Sequence, residues 1–441
     1  MRHRLWMLLS ILALVLAACG GTEAEGEAPA DTADATTTTA ATPDTQAPTE
    51  TEPAVDPVTI RYFTFSAAPD HLDHLDEMIA AFNAKYPEIT VEVETAPFDE
   101  YFSSLQTQIA GGDAPDAFEL NFENFVSFAS KGVLADLSGS IAADPELDPA
   151  AYYQRALEAF SIDGAQYALP ASYSTVLLFY NKDLFDQAGI DYPTDDWTWA
   201  EERAAAEALD ALGDDVWGHF AGVHYWEFYK AAAQNGCQFF TDGAVTVNSP
   251  PCVEALQFML DYVNDGVQPS AAEMGGVSDG DMFVNGQLGM ITTGIWMFSA
   301  FEQAPFAWDV VVEPGNTQGG SHFFANGVAV SASSDKQEAA YKWLRFFTSS
   351  PEAAQIRVGA SWELPTLTDE SLYADYLSLE PPANREAVLK SLENVVVPPV
   401  IERQAEMQDL VNGLLERALA GEITAQDALD QAQAGIEGLL G

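Results

Sequence analysis

The chain has 441 residues, with 17 basic against 68 acidic side chains, a formal net charge of -51 and 11% aromatic residues. Charge of that sign and size excludes nucleic acid and anionic lipid as partners, because both are recognised through clustered Lys and Arg. The length and the aromatic content suffice for two lobes with cores of their own.

In chain order, Arg2 and Arg4 precede a mostly apolar run over 5–16, closed by the small residues of 16–19 (LAAC). Charge, a short apolar stretch and small residues make an export signal over 1–18 that is too short to span a bilayer. The tetrapeptide resembles a bacterial lipobox, so Cys19 is expected to carry the lipid (palmitate among its acyl chains) and to become the mature N-terminus. Acyl chains contribute about 0.8 kcal/mol per buried CH₂, enough in pairs to tether a domain. Residues 19–57 then form the lipidated Cys and an acidic linker of Thr, Ala, Pro, Glu and Asp. Such a segment buries too little apolar surface to offset its chain entropy and is expected to be disordered.

From residue 58 the pattern alternates strand and helix. Residues 58–65 are β-branched and aromatic; Leu72, Leu75, Ile79 and Phe82 recur at helical spacing; 89–94 (ITVEVE) alternates as a half-buried strand. A helix from 98 ends at Gly111-Gly112, and Thr198 to Glu201 and Thr424 to Asp427 form capping boxes. Alternation of this kind gives an α/β fold with helices on a largely parallel sheet, where ligands collect at the carboxyl ends of strands. The strand ends therefore nominate Ser66, Asn121 and Glu123. Cys237 and Cys252 remain as a pair in an exported chain, where a disulfide is permitted and two thiols without nearby His make a poor metal site.

Several segments in order resemble one family, the extracellular solute-binding proteins of sugar-type ABC importers. They are 78–91 (MIAAFNAKYPEITV), 111–118 (GGDAPDAF), 167–170 (YALP) leading to 177–185 (LLFYNKDLF), 188–190 (AGI) with 197–199 (WTW), 286–290 (GQLGM) with 294–296 (GIW), 339–344 (AAYKWL) and 421–424 (GEIT). The resemblance implies the two-lobed, type II periplasmic-binding fold, with discontinuous lobes over 58–169 with 324–362 and over 170–323 with 363–441. The crossings fall near Pro170, near Phe324 and around Trp362 to Pro365, with ligand between the lobes and hinge closure upon it. It further implies a monomer that hands its solute to the importer's membrane subunits; no G-x-x-x-x-G-K-[ST] for ATP hydrolysis occurs in the chain.

A sugar offers C–H faces to aromatic rings and a rim of hydroxyls to polar groups. In the family register Trp226, Trp296, Trp362, Tyr173, Ser174, His322 and Phe323 lie at the cleft, and Asp113 joins the polar candidates through the G-x-x-P-D segment. Phe228 and Phe324 read as core, Glu302 and Glu313 as solvated surface. Basic residues do not cluster at these positions, so a neutral mono- or oligosaccharide suits the site better than a phosphate or carboxylate, which call for Arg or Lys. A cationic solute in an aromatic cage is the alternative. No cofactor, metal or catalytic residue is expected. A secreted glycoside hydrolase, which needs two carboxylates about 5–9 Å apart, is the rival from another class, and no H-E-x-x-H is present. The expected place is outside the cytoplasm, on the cell membrane.

Overall fold

The computed structural model describes residues 56–361 and 363–441. The signal over 1–18, Cys19, nearly all of the linker and Trp362 lie outside the described residues.

Two sheets organise the chain. The first contains β1 (Val58–Thr64), β2 (Ile89–Thr95), β3 (Ala117–Asn121) and β4 (Ala168–Ser174). The second contains β5 (Val176–Asn181), β6 (Trp217–Phe220), β7 (Leu288–Gly294) and β8 (Trp308–Val311). The first is then completed by β9 (Phe324–Val330) and β10 (Leu364–Pro365), giving the order β10-β4-β9-β3-β1-β2; the second runs β8-β5-β7-β6.

The first sheet is mixed, where the sequence pattern predicts a largely parallel one. β1 lies parallel to β2 and β3, whereas β9 is antiparallel to both β3 and β4. The reason lies in the crossings. β3 and β4 run toward the second lobe, and β9 comes back from it, so β9 enters the sheet at the end where the others leave. The sheet changes at Thr175, five residues beyond the Pro170 expected; Phe324 opens the returning strand, and β10 still pairs with β4 in the first sheet.

Helices cover both faces of the first sheet. On one face α1 (Pro69–Lys85) buries Leu75, Met78 and Phe82 beside Trp343 and Phe347, with the Tyr62 ring edge-on to Trp343 at 5.6 Å. On the other, Tyr101 and Leu105 of α2 (Phe98–Gly111) and Phe125 and Phe128 of α3 (Phe122–Ser130) pack on Phe63, Phe118 and Leu120. The second lobe is built on α4 (Trp199–Asp210), α5 (Tyr225–Gln234), α6 (Pro250–Asn264), α7 (Gln404–Leu419) and α8 (Ala425–Leu440). The Thr424 hydroxyl accepts from the Asp427 N–H at 3.1 Å, starting α8. A disulfide joins Cys237, just past α5, to Cys252 in the first turn of α6, with Cα atoms 5.0 Å apart. In the chain-entropy model a loop of this size contributes about 3 kcal/mol.

Candidate functional site

The two sheets turn corresponding ends toward each other, because β4 ends at Ser174 and β5 begins at Val176 on the far side of Thr175. At this junction stand the carboxyl ends of β1, β3 and β4 and the start of β9. From the second lobe come the carboxyl ends of β6, β7 and β8, set by the β5–β7 pairing of Val176 with Gly294 and the parallel pairing of β6 with β7.

Three half-buried rings converge there from three elements. Trp226 rises from the first turn of α5, Trp296 follows the end of β7, and Phe324 opens β9. The Phe324 centroid is 5.9 Å from that of Trp226 and 5.8 Å from that of Trp296. Gly294 permits this placement: a Cβ built on it would stand 2.0 Å from the Trp296 ring, so any side chain there would displace the indole. Phe324, which the sequence pattern assigns to the core, is therefore the ring that joins the other two. The signal for it lay in its position at the crossing, and its apolar neighbours hide it. Phe323 packs against the cores of both lobes, and Phe228 is fully buried.

The first lobe supplies a carboxylate. Asn121 ends β3 and caps α3, its Oδ1 accepting from the Asn124 N–H at 3.2 Å and from Asn124 Nδ2 at 2.9 Å. That cap places Glu123 in the first helical turn, fully buried, with neither carboxyl oxygen hydrogen-bonded. Burial pushes its carboxyl up to about 8. Tyr225 and Tyr229 of α5 feel its charge: burial raises both phenols, and Glu123 adds to each shift. The Tyr229 hydroxyl is likewise buried and unpartnered, and its ring lies 6.4 Å from Trp226. A carboxyl from one lobe thus lies within electrostatic reach of a free phenol from the other, beside the rings.

Other candidates are placed differently. Asp113 is exposed before β3, at the far end of the sheet, its carboxylate 3.0 Å from the Arg61 guanidinium; that ion pair gives it a local partner away from the rings. The Tyr173 hydroxyl is buried and donates to Tyr373 at 3.0 Å, which itself donates to the carbonyls of Pro365 and Leu367, so Tyr173 pins the crossing from the side opposite the rings. Ser174 is buried in register with Phe324. Ser66 donates its N–H to Thr64 Oγ1 at 3.0 Å and borders Glu119 and His71 on the α1 face. His322 is fully buried under Phe324, centroids 4.9 Å apart, and its Nε2 meets the Trp226 carbonyl at 3.0 Å. It supports the rings from behind.

Glu302 is exposed, but Glu313 is a correction: it is 3% exposed and lies 2.8 Å from the Lys230 ammonium, which also reaches Glu227 at 2.9 Å. Burial opposes ionisation of Glu227, yet Lys230, with His322 and His224, holds its carboxyl down at about 2. Lys230 is thereby committed to two carboxylates and offers no free cation to an anionic ligand. Glu227 inside the aromatic run 223–229 (VHYWEFY), with Lys230 directly after it, was the signal for this buried network.

A two-lobed α/β frame with rings and an unpaired carboxyl where the chain crosses defines a solute receptor of the periplasmic-binding type. Residues 68–354 match the model of the bacterial extracellular solute-binding proteins, and the chain belongs to that family. Among solved structures it is similar to an ABC substrate-binding protein from Listeria monocytogenes in complex with cycloalternan, at 47% identity and a TM-score of 0.85 over 87% of this chain and 99% of that one. An arabinooligosaccharide-binding protein of Halalkalibacterium halodurans is 24% identical over 66% of this chain and 67% of its own. An uncharacterised lipoprotein of Streptomyces antibioticus is 27% identical over 72% of each.

Proposed function

We propose that this chain captures a neutral oligosaccharide between its lobes and delivers it to the membrane subunits of an ABC importer. The observation that carries this reading is the convergence of Trp226, Trp296 and Phe324 beside the unpaired Glu123 carboxyl. Rings cover the C–H faces of a sugar, and a buried carboxyl without protein donors takes hydrogen bonds from its hydroxyls. The commitment of Lys230 to Glu227 and Glu313 argues against an anionic solute. The cycloalternan bound to the Listeria relative and the name of the Halalkalibacterium relative support an oligosaccharide. The chain works as a monomeric binding protein without catalytic turnover, with lobes bounded near the crossings described above.

Cys19 anchors it to the outer face of the membrane through lipid, a reading supported by the LAAC tetrapeptide and the lipoprotein relative. Among the described residues no helix is long and apolar enough to cross a membrane. Cys19→Ala releases the protein from membranes in a fractionation experiment; retention overturns the anchor.

Isothermal titration of the purified protein with cycloalternan, arabino- and malto-oligosaccharides, polyamines and amino acids tests the ligand class. Saturable binding of an oligosaccharide without hydrolysis is the expected result. Heat only with cationic compounds, or release of shorter sugars, overturns it.

A further inference from the structure

We propose that Glu227, Glu313 and His322 form a binding site for a divalent transition-metal ion of the zinc class, behind the aromatic cluster. The three side chains come from α5, from the segment after β8 and from the short strand Ser321–His322, and they are 7%, 3% and 0% exposed. One ligand atom of each lies within 4.8 Å of the others.

The imidazole carries the argument. A backbone carbonyl only accepts, so the Nε2–H of His322 is spent on the Trp226 carbonyl at 3.0 Å. That is the arrangement a metal-binding histidine adopts, its second nitrogen tied to a carbonyl and its first left as the ligand. Nδ1 has no hydrogen-bond partner, and it faces Glu313 Oε2 at 3.8 Å. For an imidazolium bonded to a carboxylate this is about 1 Å too long. Two ligands each about 2.0–2.2 Å from one tetrahedral ion stand about 3.4 Å apart, so the observed spacing is closer to shared coordination.

Lys230 does not occupy these atoms. Its ammonium takes Glu227 Oε2 and Glu313 Oε1, whereas Glu227 Oε1 lies 3.6 Å from Nε2 of His322 and Glu313 Oε2 faces the unpartnered Nδ1 at 3.8 Å, which makes Glu313 the carboxylate nearer the free nitrogen. Two carboxylates against one ammonium leave a negative balance that a dication reverses. Glu227 and Glu313 also line a cavity of about 40 Å³, room for a water beside the two carboxylates. One nitrogen with two carboxylate oxygens favours zinc or a similar ion over calcium or magnesium, which take oxygen alone, and over copper(I), which takes sulfur. An ion here would tie the Trp226 helix to the Phe324 crossing.

The test is titration of ZnCl₂ into the full chain, prepared without a histidine tag and stripped with chelator, read by calorimetry and by melting temperature. One zinc per chain with a raised melting temperature is expected, and binding at least about tenfold weaker in Glu313→Gln and in His322→Ala. His74→Ala, on α1, leaves uptake unchanged. Glu313→Gln keeps the shape of the side chain, so it decides the matter should His322→Ala unfold. Absence of zinc uptake overturns the proposal, as does uptake indifferent to Glu313→Gln or lost in His74→Ala. Tighter binding of CaCl₂ than of ZnCl₂ overturns the assignment of class.

Discussion

Glu119 and Glu123 lie four residues apart on one strand-to-helix segment, and burial pushes both carboxyls up to about 8. Their surroundings differ. Glu119 receives the Thr64 hydroxyl at 2.5 Å and sits in a network with Glu363, which pairs with Arg357 at 3.1 Å and accepts from Asn326 at 2.7 Å. Glu123 has neither donor nor counter-ion within hydrogen-bond distance of its oxygens. Burial and a raised pKa therefore do not separate a structural carboxyl from one kept for a ligand; the lack of a partner does. The first case knits the sheet to the helix Pro351–Ala360, and the second waits at the crossing.

The largest expected effect breaks the satisfied network. Arg357→Met strands Glu363 in the first lobe, and loss of one partner from a buried pair costs about 3–5 kcal/mol. Urea unfolding should show that loss, while sugar affinity of the folded protein stays near the parent value. An equal loss of affinity would mean that the network belongs to the site. Next, Glu123→Gln should leave stability unchanged or higher and, measured above pH 8 where the carboxyl is ionised, weaken sugar binding by about 1.5–3 kcal/mol, the range for hydrogen bonds to a charged group.

The pH dependence sharpens the same contrast. Both carboxyls titrate near 8 in the fold and near 4.5 when unfolded, so between these values the unfolded chain loses its protons first. Their contribution to stability is complete below about pH 4.5 and falls as pH rises toward 8. Glu123→Gln removes one share of that fall, so its stability relative to the parent should grow from pH 5 to pH 8. Parallel pH profiles would show that Glu123 is ionised throughout this range in the fold.

Much of the frame was legible because it is local. The spacing of Leu75 and Phe82, the Thr424 to Asp427 box and the Gly111-Gly112 stop act within a few residues, and each lies where the pattern puts it. The direction of β9 was not legible, since it depends on which lobe the chain comes from. The site joins residues 123, 226, 229, 296 and 324, which no window of sequence connects. Phe324 carries no polar mark to separate it from a core ring, and Glu313 carries a charge that ordinarily marks a surface. Three-dimensional pairing with Lys230 is what allows Glu313 to be buried. His322, placed at the cleft by the family register, lies fully inside behind the rings, held by its hydrogen bond to the Trp226 carbonyl.

The smallest effect concerns the rings alone. Trp296→Ala should cost about 1 kcal/mol of sugar binding, the scale of one ring contact, with little change in stability because the indole is half-exposed. Truncation also enlarges the space around Phe324, so a second variant is needed to isolate ring position. Gly294 has φ -89° and ψ 164°, extended values that alanine adopts without strain. Gly294→Ala therefore keeps backbone and indole and only forces the ring from its seat, where the new methyl would stand 2.0 Å away. If stacking depends on where the ring lies, calorimetry should show both variants weakened to a similar degree. Full affinity in Gly294→Ala with loss in Trp296→Ala would show that the indole matters for bulk and not for placement. Full affinity in both would remove Trp296 from the site and leave Trp226 and Phe324 to carry the sugar face.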